Sequence, residues 1–173
     1  MNLEGYIACI CEGSAEQAIM ELLLEKNRLI FSDDRLLGGE IIRCRNAKMF
    51  EMIYLRKGFN EKITILRVLD SRREQFTLSK AYVEKIEVIN VITAPEIEIL
   101  IIMSEGKYDE FKSSGIKPSE FCKVRLKYRN VKSYEFVRSY FSDEERLIKA
   151  ILEYKRVSKS RKGELSLADL IRL

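Results

Sequence analysis

Residues Tyr6 to Gln17 read YIACICEGSAEQ, and the fold turns on them. An apolar run breaks at Glu12-Gly13, and a helix-start pattern follows at once. The run from Tyr6 to Cys11 is apolar enough for a strand buried on both faces. Ser14-Ala15-Glu16-Gln17 has the form of a capping box, with Ser14 as N-cap and Gln17 at N3. The predicted helix continues through AEQAIMELLLEKNRL, with Ala18, Ile19, Leu22 and Leu23 on its inner stripe. A carboxylate, Glu12, therefore stands at the end of a buried strand and just before a helix.

Outward from this unit the same alternation recurs. EIIRCR is a short strand, and AKMFEMIYLRKGF a helix that Gly58 can stop. KITILRVLD is the second core strand and ends in Asp70. TLSKAYVEKI is predicted as a helix and EVINVIT as a fourth strand. Thr93-Ala94-Pro95-Glu96 is a second capping-box pattern, opening a helix through EIEILIIMSEG. Strands alternating with helices imply an α/β fold with a mostly parallel central sheet flanked by helices. In such sheets ligands bind outside the carboxyl ends of the strands, where Glu12 and Asp70 both fall.

After Gly106 the pattern turns helical. KPSEFCKVRL reads as a helix opened by Pro118. Its continuation also alternates Lys123, Arg125, Lys127 and Arg129 against Val124, Leu126 and Tyr128, as a strand with one basic face would. SYEFVRSYF is predicted helical, Ser142 to Glu145 is a third capping box before ERLIKAILEYKRV, and GELSLADLIRL is a short docking helix. The expected organisation is one domain: a core over residues 1–106 and a basic, mostly helical extension over 107–173 packed on it.

Composition narrows the chemistry. The 173 residues are 46% hydrophobic and 34% charged, as in a folded globular chain. No apolar run is long enough to span a bilayer, and no secretory signal is expected, so the chain reads as cytoplasmic with no membrane partner. There is no histidine, which excludes Ser-His-Asp and Cys-His nucleophile systems. Cys9, Cys11, Cys44 and Cys122 form no CxxC pair and read as buried thiols. Carboxylates with a hard metal are the main chemistry left.

Glu12 and Asp70 could share one such metal from the ends of two parallel strands. Glu16 lies in a first helical turn, where the helix dipole favours an acid in any case. Asp70 has the alternative of a turn or capping acid. Glu98, among apolar neighbours in PEIEILIIM, needs a partner if ionised; it faces the same acidic site or pairs with an arginine.

These residues together resemble the Toprim domain. CEGSAEQ is similar to its first motif, a strand ending in Glu-Gly with an acid three positions later. Asp70-Ser71-Arg72 stands where the family has Asp-x-Asp, and ITAPEIEILIIM resembles the Pro-x-x-Glu segment of small RloB-like Toprim proteins, which are linked to restriction and phage-defence loci. The resemblance spans Leu3 to Gly106. It implies a Toprim-like, Rossmann-like fold and Mg2+- or Mn2+-dependent phosphoryl transfer on nucleic acid. Under it, Glu12 is the acid–base group, Asp70 the principal metal ligand, and Glu16 lies near the site. Arg72 departs from the pattern, because it replaces the second aspartate; Glu98 would restore an acid.

The basic runs CKVRLKYRNVK (Cys122 to Lys132) and KRVSKSRK (Lys155 to Lys162) contain no acid. Lys123, Arg125, Lys127, Arg129, Lys155 and Lys159, with Arg72 and Arg73, are the candidate nucleic-acid contacts; a solvated face is the alternative. The leading expectation is a metal-dependent nuclease of phage defence. The alternative is a catalytically degenerate interaction module beside an ATPase or other defence component, which Arg72 favours; a homodimer is compatible with either. A nucleotide-binding regulator is disfavoured, because no GxGxxG or GxxxxGK[ST] loop occurs.

Overall fold

The computed structural model describes residues 3–56, 58, 61–94, 96–158 and 161–172. Four strands form one sheet: β1 (Tyr6–Cys11), β2 (Ile42–Arg43), β3 (Ile63–Leu69) and β4 (Glu87–Ile92), in the order β2-β1-β3-β4. Every pairing is parallel. The chain leaves β1 toward one side to make β2 and reaches β3 on the other. The order thus reverses between β1 and β3, and a crevice opens at their carboxyl ends.

The two faces are covered unequally. Ile7, Cys9 and Cys11 of β1, Leu66 and Val68 of β3 and Val91 of β4 pack against the thick layer. That layer holds α1 (Ser14–Glu25), α3 (Ile99–Ser104), α4 (Tyr108–Ser114), α5 (Pro118–Val124), α6 (Tyr134–Tyr140) and α7 (Glu144–Val157). Phe121, Val137, Phe141, Leu147, Ile151 and Leu170 belong to the same cluster as β1, so residues beyond 106 share the core of the sheet. On the other face Ala8, Ile10, Ile63 and Ile65 lie beneath Phe50, Leu55, Leu78 and Ile86. The cover there is α2 (Ala47–Phe50), its π-helical continuation Glu51–Leu55, and an irregular connection.

That connection corrects one expectation. TLSKAYVEKI forms turns rather than a helix: the Ser79 carbonyl accepts from both Tyr82 and Val83, and the Ser79 amide donates to the Glu51 carboxylate at 2.6 Å. Phe76, Leu78, Tyr82 and Ile86 are drawn onto the sheet, and one helical stripe does not satisfy that spacing. Two caps also differ. The N-cap of α1 is Gly13, with no side-chain bond, and Ser14 is already helical; the Gln17 amide donates to Glu21 instead. Asp143 rather than Ser142 caps α7. The basic stretch from Lys123 does not form a strand: it finishes α5 and continues as a loop.

The segment 164–172 closes the sheet. The Ile92 amide donates to Leu165 O at 2.8 Å, and Ile171 bridges to Leu29. A short 3-10 turn, Leu167–Leu170, carries a complete capping box between Ser166 and Asp169. Among the described residues no helix is long and apolar enough to cross a membrane.

Gly5 sets where β1 begins. Its φ is +67°, and a Cβ there would lie 1.9 Å from Lys62 O. Gly5→Ala must therefore shift the start of β1 away from β3. The expected cost is about 2–4 kcal/mol, read as a lower urea midpoint; an unchanged midpoint would contradict the close approach.

Candidate active site

Glu12 continues the alternation of Ala8 and Ile10 and lies on the thinly covered face. Arg67 of β3 occupies the same face, in register with Ile10 and with Asn90 of β4. Its guanidinium donates to Glu12 Oε1 at 2.9 Å, with side-chain exposures of 1% for Arg67 and 11% for Glu12. It also donates weakly to Asn90 Oδ1 at 3.5 Å and sits 4.7 Å from the centre of the Phe76 ring. Arg45 Nε donates to the Glu12 carbonyl oxygen at 3.4 Å.

Burial and then the nearby Glu74 push the Glu12 carboxyl above its ordinary range, against the pull of Arg67. Burial likewise lowers the Arg67 guanidinium, against the pull of Glu12. Burial thus opposes both charges by more than their mutual attraction favours them. Arg67 Nε has no hydrogen-bond partner among the described residues.

The other acids gather on the thick side. Glu16 is 6% exposed, and its carboxylate folds back over Gly13, where a Cβ would stand 2.2 Å from Oε2. Only glycine leaves room for that return. Burial raises the Glu16 carboxyl; its own backbone N–H opposes this, and Asp70 and Glu12 add repulsion. Glu98 is 2% exposed and stands at the N-cap of α3 rather than inside the helix. The Thr93 capping box does not form, because the Thr93 hydroxyl donates to Leu69 O at 2.9 Å. Glu96 instead accepts from the Ser119 amide at 3.0 Å. Burial pushes the Glu98 carboxyl up to about 7.

Lys132 answers this cluster, with Nζ 3.5 Å from Glu96 Oε1 and 3.6 Å from Glu98 Oε1. Glu98 Oε1 accepts no hydrogen bond among the described residues. Asp70, half-buried at the end of β3, acts electrostatically on both Glu16 and Lys132.

Among the described residues no three acidic or cysteine side chains converge closely enough to hold a metal ion. Magnesium does not require such a cage: it commonly takes one or two carboxylates and completes its shell with water and substrate phosphate. The orphaned Glu98 oxygen, with the Glu16 carboxylate close enough to act on it, fits that mode of attachment. All four cysteines are free and buried.

The basic candidates separate into distinct places. Lys123, Arg125, Lys127 and Arg129 are exposed at the end of α5 and in the following loop, which Leu126, Tyr128 and Val131 anchor to the core. Of these four, Lys123 and Arg129 line a groove of about 470 Å³, together with Ser119, Tyr128, Asn130 and Lys132. Arg73 is exposed in the connection after β3. Arg72 turns away from the acids and holds Glu164 with two bonds, of 2.6 and 2.9 Å; a bidentate partner is present, but it is a carboxylate of the chain. Lys155 pairs with Asp169 at 2.9 Å. Arg72 and Lys155 line a separate cavity of about 260 Å³, whose walls include Tyr108 and Tyr154. Lys159 lies outside the described residues.

Two residues of the site were not singled out from sequence. Arg67 carries its own signal, a charge inside the apolar run ITILRVL. Lys132 carries none, because its role arises from a contact between distant segments. No family model, curated protein or solved structure matches the chain.

Two outcomes follow for stability. Arg67→Met leaves the buried Glu12 carboxylate uncompensated and should cost about 3–5 kcal/mol, most of it recovered in Arg67→Met/Glu12→Gln; urea unfolding of the two variants checks this. Glu98 has a folded pKa of about 7 against an ordinary 4.5. The native state therefore binds more protons between those values, and its contribution to stability is full below pH 4.5 and falls as pH rises to 7. That slope should flatten in Glu98→Gln, measured by denaturation across pH 4 to 8.

Proposed function

We propose that the chain is a Toprim-like phosphoryl-transfer protein that cuts the backbone of nucleic acid with magnesium or manganese. The observation that supports this most is the contiguity of two unlike surfaces. Lys132 lies on the acid cluster, through Glu96 and Glu98, and also lines the basic groove. A phosphodiester held by Lys123, Lys127 and Arg129 would lie beside the carboxylates. Such cationic contacts hold the backbone without reading sequence. Asp70 and Glu98 are the groups to hold the metal, with Glu16 behind them. The metal supplies charge neutralisation at the phosphate and an activated water. Glu12, whose carboxyl burial raises above its ordinary range, is the group to pass a proton. The resemblance to RloB-like proteins supports a place in phage defence.

A second reading has its own support. Glu12 is engaged by Arg67, and Arg72, where Toprim proteins carry a second aspartate, engages Glu164. Under this reading the chain is a non-catalytic partner subunit, of an ATPase or another defence component.

Purified protein should cleave single- or double-stranded DNA or RNA only with Mg2+ or Mn2+ present. Glu12→Gln should lower the rate about 100-fold or more, with binding retained. Lys127→Ala/Arg129→Ala should weaken binding and lower the slope of log K against log salt by about 2. Salt-dependent binding with no cleavage under either metal would favour the second reading. The absence of both binding and cleavage would refute the first.

A further inference from the structure

We infer that Lys132 is a tethered cation that holds the metal's position on Glu98 and withdraws when a phosphate enters the adjoining groove. This rests on the metal-dependent reading above and adds a control element to it.

Three observations support it. First, Glu98 is 2% exposed and its Oε1 accepts no hydrogen bond among the described residues; its own backbone N–H also favours the charged carboxylate, and the Lys132 ammonium stands 3.6 Å from that open oxygen. A divalent ion and Lys132 therefore compete for one oxygen. Second, the Lys132 side chain is 55% exposed. It reaches the acids from outside and can leave without disturbing the core, whereas Arg67 is enclosed beside Glu12 at 1% exposure. Third, Lys132 also lines the groove with Lys123 and Arg129. A phosphate there offers the ammonium a second partner while Glu98 is handed to the metal. Phosphate and metal then favour each other's binding, because each removes the ion pair that opposes the other. Without substrate the acids stay neutralised and the metal site stays weak.

The test is Mg2+ binding by calorimetry at low salt, for wild type, Lys132→Met and Lys132→Arg. The expected result is binding about three- to tenfold tighter in Lys132→Met, with Lys132→Arg close to wild type because the tethered charge is kept. Equal, measurable affinity in all three, or weaker binding in Lys132→Met, overturns the inference and leaves the metal-dependent reading standing. No binding in wild type and Lys132→Met alike overturns both. Lys132→Met leaves Glu98 buried without a counter-charge, so a measurement on wild type covers its failure to fold. In protein carrying labelled lysine side chains, Mg2+ should move the Lys132 resonance toward that of an exposed lysine. A Lys132 signal that stays fixed while Mg2+ binds overturns the inference.

Discussion

A guanidinium inside a parallel sheet has to be answered where it sits, and much of the site follows from how Arg67 is answered. Its neighbours in register, Ile10 and Asn90, leave it one strong partner, the carboxylate two residues beyond Ile10. Phe76 closes over it, which draws the connection between β3 and β4 onto the sheet. A one-residue slip of β3 would turn Arg67 to the other face, among Cys9 and Cys11. An apolar residue at 67 with glutamine at 12 could serve stability equally well. What the pair adds is position: it fixes the Glu12 carboxylate at the rim of the crevice between β1 and β3.

The remaining acids reach that rim by different means. Asp70 simply ends a strand. Glu16 arrives by folding back over a glycine, and Glu98 by standing at the entrance of α3. Each is held by local backbone, and their mutual repulsion is offset only in part by Lys132. The rim is therefore a place of excess negative charge bordered by a loop of excess positive charge, with one lysine belonging to both. This juxtaposition sets it apart from the cavity behind Arg72, where Arg72 and Lys155 already meet Glu164 and Asp169.

The strands were legible because β1 is apolar along its whole length and β3 nearly so, Thr64 and Arg67 apart, and α7 because its stripe is regular. Pro118 marked the start of α5 correctly. The segment from Thr77 to Ile86 misled because Leu78, Tyr82 and Ile86 have helical spacing, yet Phe76 joins them on the sheet and the Ser79 amide is taken by the Glu51 carboxylate, so the segment closes as turns. Ser14 misled because a capping box and a bare glycine N-terminus look alike until Glu16 is seen to use the space. Both acids at strand ends could be read from the strand pattern. Their counter-ions could not, since Lys132 meets Glu96 and Glu98, and Glu164 meets Arg72, only once the C-terminal part packs. The alternation from Lys123 to Arg129 holds only in part: Leu126 and Tyr128 are anchored to the core, whereas Val124, at the end of α5, is exposed like the basic residues around it.

The closing segment has a consequence for how the chain is made. Leu165 covers the top of β4, Ile171 pairs with Leu29, and the Arg172 amide donates to Arg28 O. These contacts join the last described residues to the first third of the chain. On a ribosome, β4 emerges on the order of ten seconds before its cover does. Through that interval the nascent protein presents Ile89 and Val91 beside an unshielded strand edge. Until α5 to α7 and the closing segment follow, that edge is open to pairing with a neighbouring chain.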